Sequence, residues 1–124
     1  MNRDRLIDEF ILCTEEQRNV DYGNSGSVRK FNNLSKKKYM IAKLINDKYP
    51  ELIPGFVALL QHPDWDVKLA CAIRLLVDIN CEQRDKDCAV NTIKEYINTP
   101  DMPHTPNIGN AFEWRMRMRD LGLL

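Results

Sequence analysis

Apolar residues recur at three- and four-residue steps along this 124-residue chain, and prolines and glycines separate the periodic stretches. The first helix is expected from about Leu6 to Arg18, with Phe10 on its apolar face. No stretch alternates apolar and polar residues with a period of two over a useful length, so no strands are expected. The sequence therefore predicts an all-α fold, which we expect to form a single domain over residues 1–124.

Five more helices are predicted, each bounded by cap residues or prolines. Ser27 is expected to cap the second helix, Asp64 the fourth and Thr105 the sixth. The third helix is predicted from about residue 53 to residue 61, and the fifth from about residue 85 to residue 98. Because the fourth helix is apolar on most of its circumference, it is predicted to lie at the centre of the fold.

Charge and composition limit the class of partner. Eighteen basic and eighteen acidic side chains give a net charge of zero, which argues against affinity that comes mainly from neutralising phosphates. No apolar run approaches the ~20 residues that span a bilayer, and no secretory signal follows the first methionine. We therefore expect a cytoplasmic protein with no membrane partner, and a nucleic acid is not the first partner to consider.

No residues have the spacing of a catalytic, cofactor-binding or metal site. The four cysteines form no Cys-x-x-Cys pair, and His62 and His104 lie beside prolines without a second ligand on one helical face. Neither a Gly-x-Ser-x-Gly elbow nor a glycine-rich phosphate loop occurs in the sequence. These observations predict a non-enzymatic protein without a cofactor or metal, and with reduced cysteines.

Residues 52–72 read LIPGFVALLQHPDWDVKLACA and resemble one HEAT repeat. A short apolar helix is followed by a Pro-Asp turn, a valine, a basic residue and a run of small residues that opens the next helix. Together with residues 6–10 and 30–32, this stretch makes the chain similar to a family of small bacterial HEAT-like proteins of unknown function. The resemblance implies about six helices stacked as hairpins in a HEAT/ARM-like α-α superhelix.

Members of such families often occur as immunity proteins beside bacterial toxins. The resemblance therefore implies a protein-binding module, most simply a cytosolic immunity protein that binds and neutralises a cognate bacterial toxin domain. Aromatic and arginine side chains are the usual anchors of a protein interface. The candidate partner-binding residues are Tyr39, Asp64, Trp65, Asp66, Trp114, Arg115 and Arg119.

Several alternatives remain open at this point. Trp65 is either an exposed anchor or a lid over the preceding hairpin, and Trp114 is either an anchor or the residue that closes the end of the core. A nucleic-acid-binding HEAT-like protein is the second functional class, in which residues 36–38 and the arginines at 115, 117 and 119 form a phosphate-binding groove. Otherwise the lysine run is expected to be a solvated face. A structural adaptor is the third class.

Overall fold

The structure is a computed structural model that describes residues 2–99 and 111–123, with Ala111 and Phe112 described by their backbone alone. Its helices are α1 (Leu6–Gln17), α2 (Ser25–Asp47), α3 (Ile53–Val57), α4 (Trp65–Val77), α5 (Gln83–Asn98) and α6 (Ala111–Asp120). Short 3-10 turns cover Arg3–Arg5, Pro50–Leu52 and Ala58–Gln61. These residues contain no strand, so the all-α prediction is confirmed for the part of the chain that the structure describes.

Side-chain caps set the first residues of α2 and α4. The side chain of Asn24 accepts a hydrogen bond of 2.9 Å from the backbone N–H of Ser27, so α2 begins at Ser25. The prediction of Ser27 as the cap is wrong, because its backbone N–H lies inside the first turn that Asn24 caps. Asp64 does cap α4, as predicted, by accepting a hydrogen bond of 2.9 Å from the backbone N–H of Asp66.

The third predicted helix is divided into α3 and the 3-10 turn at Ala58–Gln61. Pro54 lies in the first turn of α3, where its missing N–H leaves no intrahelical hydrogen bond unmade. A Cβ atom added at Gly55 would lie 3.1 Å from the Cδ1 atom of Ile7. The absence of a side chain at position 55 therefore lets α3 approach α1 closely.

A Schellman turn ends α6. Gly122 adopts a φ of 75°, and its N–H donates to the carbonyl of Arg119 at 2.9 Å. The N–H of Leu123 donates to the carbonyl of Met118, also at 2.9 Å. This pattern satisfies two carbonyls at the end of the helix. The predicted start of this helix at Thr105 lies outside the described residues.

The helices share one hydrophobic core with α4 at its centre. Helix α4 packs against α1, α3, the 3-10 turn before it and α5, which agrees with the central position predicted for it. Helix α1 also packs against α2, and α5 against α6. The rings of Phe10 and Phe56 meet edge to face, with their centroids 4.9 Å apart. The largest fully buried apolar side chains are those of Leu6, Phe10, Ile41, Ile45, Phe56, Val67, Leu69, Leu75, Ile93 and Met118. The stacking of the hairpins into a HEAT/ARM-like superhelix stays a prediction.

Candidate functional site

The Asp64–Asp66 turn joins the start of α4 to the end of α1. Arg18 donates a hydrogen bond of 2.8 Å from Nε to Oδ2 of Asp66, and its Nη2 atom contacts Oδ2 of Asp64. These hydrogen bonds raise the pKa of Arg18. The side chain of Asp66 is only 1% exposed. The Asp66 carboxylate therefore belongs to an internal ion pair, and its role as a partner-binding residue stays a prediction.

Trp65 is half-buried at the edge of the core. Its ring lies against the ring of Tyr96, with the centroids 5.8 Å apart, and the Lys68 ammonium lies 4.4 Å from the centroid of the Trp65 ring. Burial raises the pKa of the Tyr96 phenol. With one ring neighbour and one cation engaged, Trp65 fits its interpretation as a lid better than its interpretation as a free anchor.

The remaining candidates divide between core and surface. Trp114 is 4% exposed and belongs to the core, which fits the alternative that it closes the end of the core. Arg115 and Arg119 are exposed on α6. Tyr39 is 47% exposed on α2. The structure thus keeps Tyr39, Arg115 and Arg119 at the surface.

A cleft of about 250 Å³ opens where α1, α2, α4 and α6 meet. Three cationic side chains line this cleft: Lys38 from α2, Arg74 from α4 and Arg117 from α6. Asp66, which is paired with Arg18, also lines it. The apolar part of the lining consists of Phe31, Leu69, Ala70, Ile73 and Trp114.

A hydrogen-bond network holds Lys38 in the cleft. Its Nζ atom donates to Oε1 of Gln17 at 2.8 Å. The amide of Gln17 is oriented in turn by two donated hydrogen bonds, one of 2.7 Å to Oγ of Ser35 and one of 3.1 Å to the carbonyl of Phe31. The Lys38 ammonium also lies 5.5 Å from the centroid of Phe10. A neutral amide and an aromatic ring therefore surround this charge.

The three lysines of the 36–38 run have different environments. Burial, together with the nearby charge of Arg74, lowers the pKa of Lys38 from 10.5 to about 8. Lys37 forms a 3.0 Å ion pair with Glu9, and that hydrogen bond raises its pKa. Lys36 is exposed. The expectation of a solvated face therefore holds for Lys36 and is wrong for Lys38, because side chains two positions apart on a helix point in different directions.

The two arginines of the cleft are held in different ways. Arg74 forms a 2.6 Å ion pair from Nη1 to Oδ2 of Asp78. The guanidinium of Arg117 lies over the Trp114 ring, 4.6 Å from its centroid. In the part of the chain that the structure describes, neither Lys38 nor Arg117 has a carboxylate at ion-pair distance. Two of the three cations are thus not neutralised by a salt bridge among these residues.

Sequence reasoning finds the cleft only in part. The nucleic-acid alternative brings residues 36–38 and the arginines of the last helix together, and the structure does place Lys38 and Arg117 in one cleft. Arg115 and Arg119 do not line it. Gln17 and Arg74 are missed as lining residues, and no local pattern marks them, because both lie on helices whose clearest signal is an apolar stripe.

The net charge of zero conceals a strong separation of charge between two neighbouring helices. Helix α1 carries four acidic and no basic residues, a net charge of −4. Helix α2 carries six basic residues and one acidic residue, a net charge of +5. The exposed side of α2 also presents two large side chains, Tyr39 at 47% and Met40 at 58% exposure. We call the exposed residues Arg29, Asn33, Lys36, Tyr39 and Met40 the α2 face.

The cysteines and histidines offer no further constellation among the described residues. All four cysteines are free thiols; Cys13 and Cys71 are buried, and burial raises the pKa of both. Over residues 2–99 and 111–123, no three His, Cys, Asp or Glu side chains come close enough to hold a metal ion. His62 accepts a hydrogen bond of 3.0 Å at Nδ1 from the backbone N–H of Asp64, which is a turn contact. His104 lies outside the described residues.

No family model, no curated protein and no solved structure matches this chain. No family model therefore supports the resemblance of residues 52–72 to a HEAT repeat. None of the described helices combines the length and the apolar composition that a membrane span requires. The cleft and the α2 face are consequently the two features of the chain that bear on its function.

Proposed function

We propose that this chain is a non-enzymatic protein-binding module that contacts its partner through the α2 face. The observation that carries the proposal is the exposure of two large side chains, Tyr39 and Met40, on a helix with a net charge of +5. Positions 29, 33, 36 and 40 follow one another at three- and four-residue steps, so they share one side of the helix. Aromatic residues, Met and Arg are the types enriched at protein interfaces.

The charge of the α2 face indicates the kind of protein that fits it. Lys37 and Lys43 are paired with Glu9 and Asp47, and both pairs stay within the chain. Arg29 and Lys36 are exposed, so a partner with an acidic surface gains by complementarity. A polyphosphate backbone would also approach the −4 charge of α1, which packs against α2. A protein can confine its acidic side chains to the area opposite α2, whereas a nucleic acid carries a negative charge at every nucleotide, so the neighbouring acidic helix favours a protein partner.

The more specific form of the proposal is a cytosolic immunity protein that neutralises a cognate bacterial toxin domain. It is supported by the resemblance of residues 52–72 to a HEAT repeat and by a preformed helical surface, since an inhibitor needs only to cover the active region of its target. The charge of the α2 face adds that the covered region of the toxin is acidic. Binding a partner of that kind requires no catalytic group in the cleft or on the α2 face.

The experiment replaces Met40 with a photo-crosslinking amino acid in the native host and identifies the protein that is captured. The control places the same amino acid at Val77, which is 54% exposed on α4 and outside the α2 face. A protein captured from position 40 alone is then purified and titrated against the chain. We expect Tyr39→Ala and Met40→Ala each to weaken binding by about ten-fold or more. Val77→Ala should leave the affinity unchanged.

Three results would oppose the proposal. The first is crosslinking of equal yield at positions 40 and 77, and the second is an affinity that Tyr39→Ala and Met40→Ala leave unchanged. The third concerns the toxin itself: if the captured protein does not arrest growth when expressed alone, or if co-expression of this chain does not restore growth, the immunity role is excluded. That third result would exclude only the immunity role and would leave the proposal of a protein-binding module unchanged.

The charge of +5 on α2 favours one further candidate, a nucleic-acid-binding protein. Binding of duplex DNA at low salt, falling steeply between about 50 and 200 mM salt, would be expected from phosphate contacts. Lys36→Glu should then weaken DNA binding, whereas Lys94→Glu, a change on α5, should not. If no DNA binding is measurable at low salt, this candidate is excluded.

A further inference from the structure

We propose that the cleft between α1, α2, α4 and α6 is a binding site for a small organic anion, a carboxylate or a phosphate monoester carried on an apolar or aromatic body. The proposal does not depend on the α2 face, because the cleft lies among the packed helices and uses other side chains. Its evidence is the arrangement of cationic and apolar groups around one volume.

Two of the three cationic groups that line the cleft, Lys38 and Arg117, form no ion pair among the described residues. Lys38 donates to a neutral amide, and Arg117 lies over an indole ring. Arg74 donates a hydrogen bond from Nη1 to Asp78. A guanidinium has five N–H donors in a planar fork, so this bond leaves other donors of Arg74 for a ligand. A carboxylate or a phosphate accepts several such hydrogen bonds at once, which is why these two anions fit the donor set.

One carboxylate in the lining opposes an anion, and the structure shows how its charge is compensated. Asp66 is bound by Nε of Arg18, and the same guanidinium also contacts Asp64. Because Arg18 is shared by two carboxylates, it offsets part of the negative potential that Asp66 projects into the cleft, and the three cations of the lining outnumber that one carboxylate. Lys38, Arg74 and Arg117 are the positive charges of the lining that attract an incoming anion.

The apolar part of the lining indicates what else the ligand carries. Phe31, Leu69, Ile73 and Trp114 face the same volume, and an aromatic or aliphatic group displaces water from them. The volume of about 250 Å³ lies below the ~300–1,000 Å³ of sites for drug-sized molecules. The ligand is therefore a small anion with a short apolar body.

Hydrogen bonds fix the position of the Lys38 ammonium in the cleft before a ligand binds. Its orientation is fixed through Gln17, whose amide is fixed by Ser35 and Phe31. The charged and titratable groups near it are Cys13 on α1, Asp66 and Arg74 on α4, and Arg117 on α6, which lines the same cleft. Because burial disfavours its charged form, an anion that enters the cleft restores a favourable partner to a charge that is already partly desolvated.

The test uses the purified full chain with Trp65→Phe, which leaves Trp114 as the single tryptophan. Phenyl phosphate is titrated against its fluorescence, with phenol as the neutral control. A second arm uses N-acetyl-aspartyl-phenylalanine amide, with the asparaginyl peptide as its neutral control. We expect saturable binding of at least one anion with a Kd between about 10 µM and 1 mM, and none of the neutral compounds.

Two matched pairs of variants assign the binding to the cleft. Lys38→Met and Arg117→Gln should weaken the anion by about ten-fold or more, because each removes a charge-assisted hydrogen bond. Lys36→Met and Arg115→Gln change exposed neighbours on the same helices and should alter the Kd by less than about two-fold. Thermal melting monitored by circular dichroism confirms that each variant is folded before it is titrated.

A pH series on the Trp65→Phe chain supplies a measurement that needs no change in the cleft. Affinity for phenyl phosphate should fall by about ten-fold between pH 7 and pH 9.5, as Lys38 loses its proton. Cys13 stays a neutral thiol over most of this range because burial raises its pKa.

The two arms distinguish the source of the anion. Binding of phenyl phosphate alone indicates a free phosphorylated metabolite, and binding of the aspartyl peptide alone indicates an acidic side chain of a protein; either result supports the site. The proposal is overturned if neither anion binds. It is equally overturned if the neutral compounds bind as tightly, or if the exposed control substitutions weaken binding as much as those in the cleft.

Discussion

Replacing Lys38 with methionine should remove a rise in folding stability that the wild-type protein shows between about pH 8 and pH 10.5. Methionine keeps most of the aliphatic stem and removes the charge. In the folded chain the pKa of Lys38 is lowered from 10.5 to about 8 by burial and by Arg74. Between pH 8 and pH 10.5 the unfolded chain therefore binds more protons than the folded chain, so this group makes the wild-type protein more stable as pH rises through that window.

The size of the effect follows from the pKa values. One pKa unit corresponds to 1.36 kcal/mol, so lowering the pKa from 10.5 to about 8 sets an upper limit of about 3 kcal/mol. Because the side chain is only partly buried, solvent screening reduces this to about 1–2 kcal/mol. The variant lacks this penalty at pH 7 but loses the hydrogen bond to Gln17 at every pH. The difference in stability between the two proteins should thus change by about 1–2 kcal/mol between pH 7 and pH 10, with the variant relatively more stable at pH 7.

Urea denaturation of both proteins at pH 7, 8, 9 and 10 measures this difference. Taking the difference cancels the titration of the other groups, including Cys13, provided that their pKa values are the same in both proteins. Lys36→Met serves as the control, since its side chain is exposed and should show no pH-dependent difference. A stability difference for Lys38→Met that stays constant to within about 0.3 kcal/mol from pH 7 to pH 10 would refute the reasoning.

Three further changes test other parts of the structure. Arg18→Gln should cost about 2–4 kcal/mol in urea denaturation at pH 7, because it leaves the buried Asp66 carboxylate without its cation, and a cost below about 0.5 kcal/mol would contradict the internal ion pair. Trp114→Ala should cost about 3–5 kcal/mol in the same assay, since the ring is buried, whereas a fully folded variant of unchanged stability would place the ring at the surface. In native protein, iodoacetamide should modify the exposed Cys88 and spare Cys71, whose pKa is raised by burial; mass spectrometry showing equal modification of the two would contradict this burial.

Sequence rules predict a helix well where the chain offers one clear cap residue or one clear apolar stripe. Asp64 is the only cap-forming side chain immediately before the apolar stripe of α4, and it caps that helix as expected. The inward residues of α5, predicted from their spacing, are buried as a set: Ala89, Ile93, Tyr96 and Ile97. The start of α2 is harder to predict, because Asn24 and Ser27 are both good caps and lie three residues apart. Only the observed hydrogen bond from the Ser27 N–H to the Asn24 side chain decides between them.

The cleft illustrates what sequence patterns leave undetermined. Its polar lining comes from four different helices: Gln17 on α1, Ser35 and Lys38 on α2, Asp66 and Arg74 on α4, and Arg117 on α6. Periodicity predicts which side of a helix is apolar, but it does not predict which helices meet or how their polar edges are aligned. A lysine run groups Lys38 with its exposed neighbour Lys36, although a two-residue step turns a helical side chain by about 200°. Such a run is informative only after each member has been assigned to a side of its helix.

Net charge has the same weakness as a guide to partners, since it adds charges without regard to position. The total of zero argues against phosphate binding, yet it is the sum of an acidic α1, a basic α2 and a near-neutral remainder. At physiological ionic strength charges are screened beyond about 8 Å, so a partner at the surface of α2 responds to that helix and its nearest neighbours rather than to the whole chain. Salt should accordingly weaken a complex formed at the α2 face even though the protein is neutral overall. A partner affinity that is independent of salt between about 50 and 300 mM would instead indicate that the apolar contacts of Tyr39 and Met40 dominate over the basic side chains.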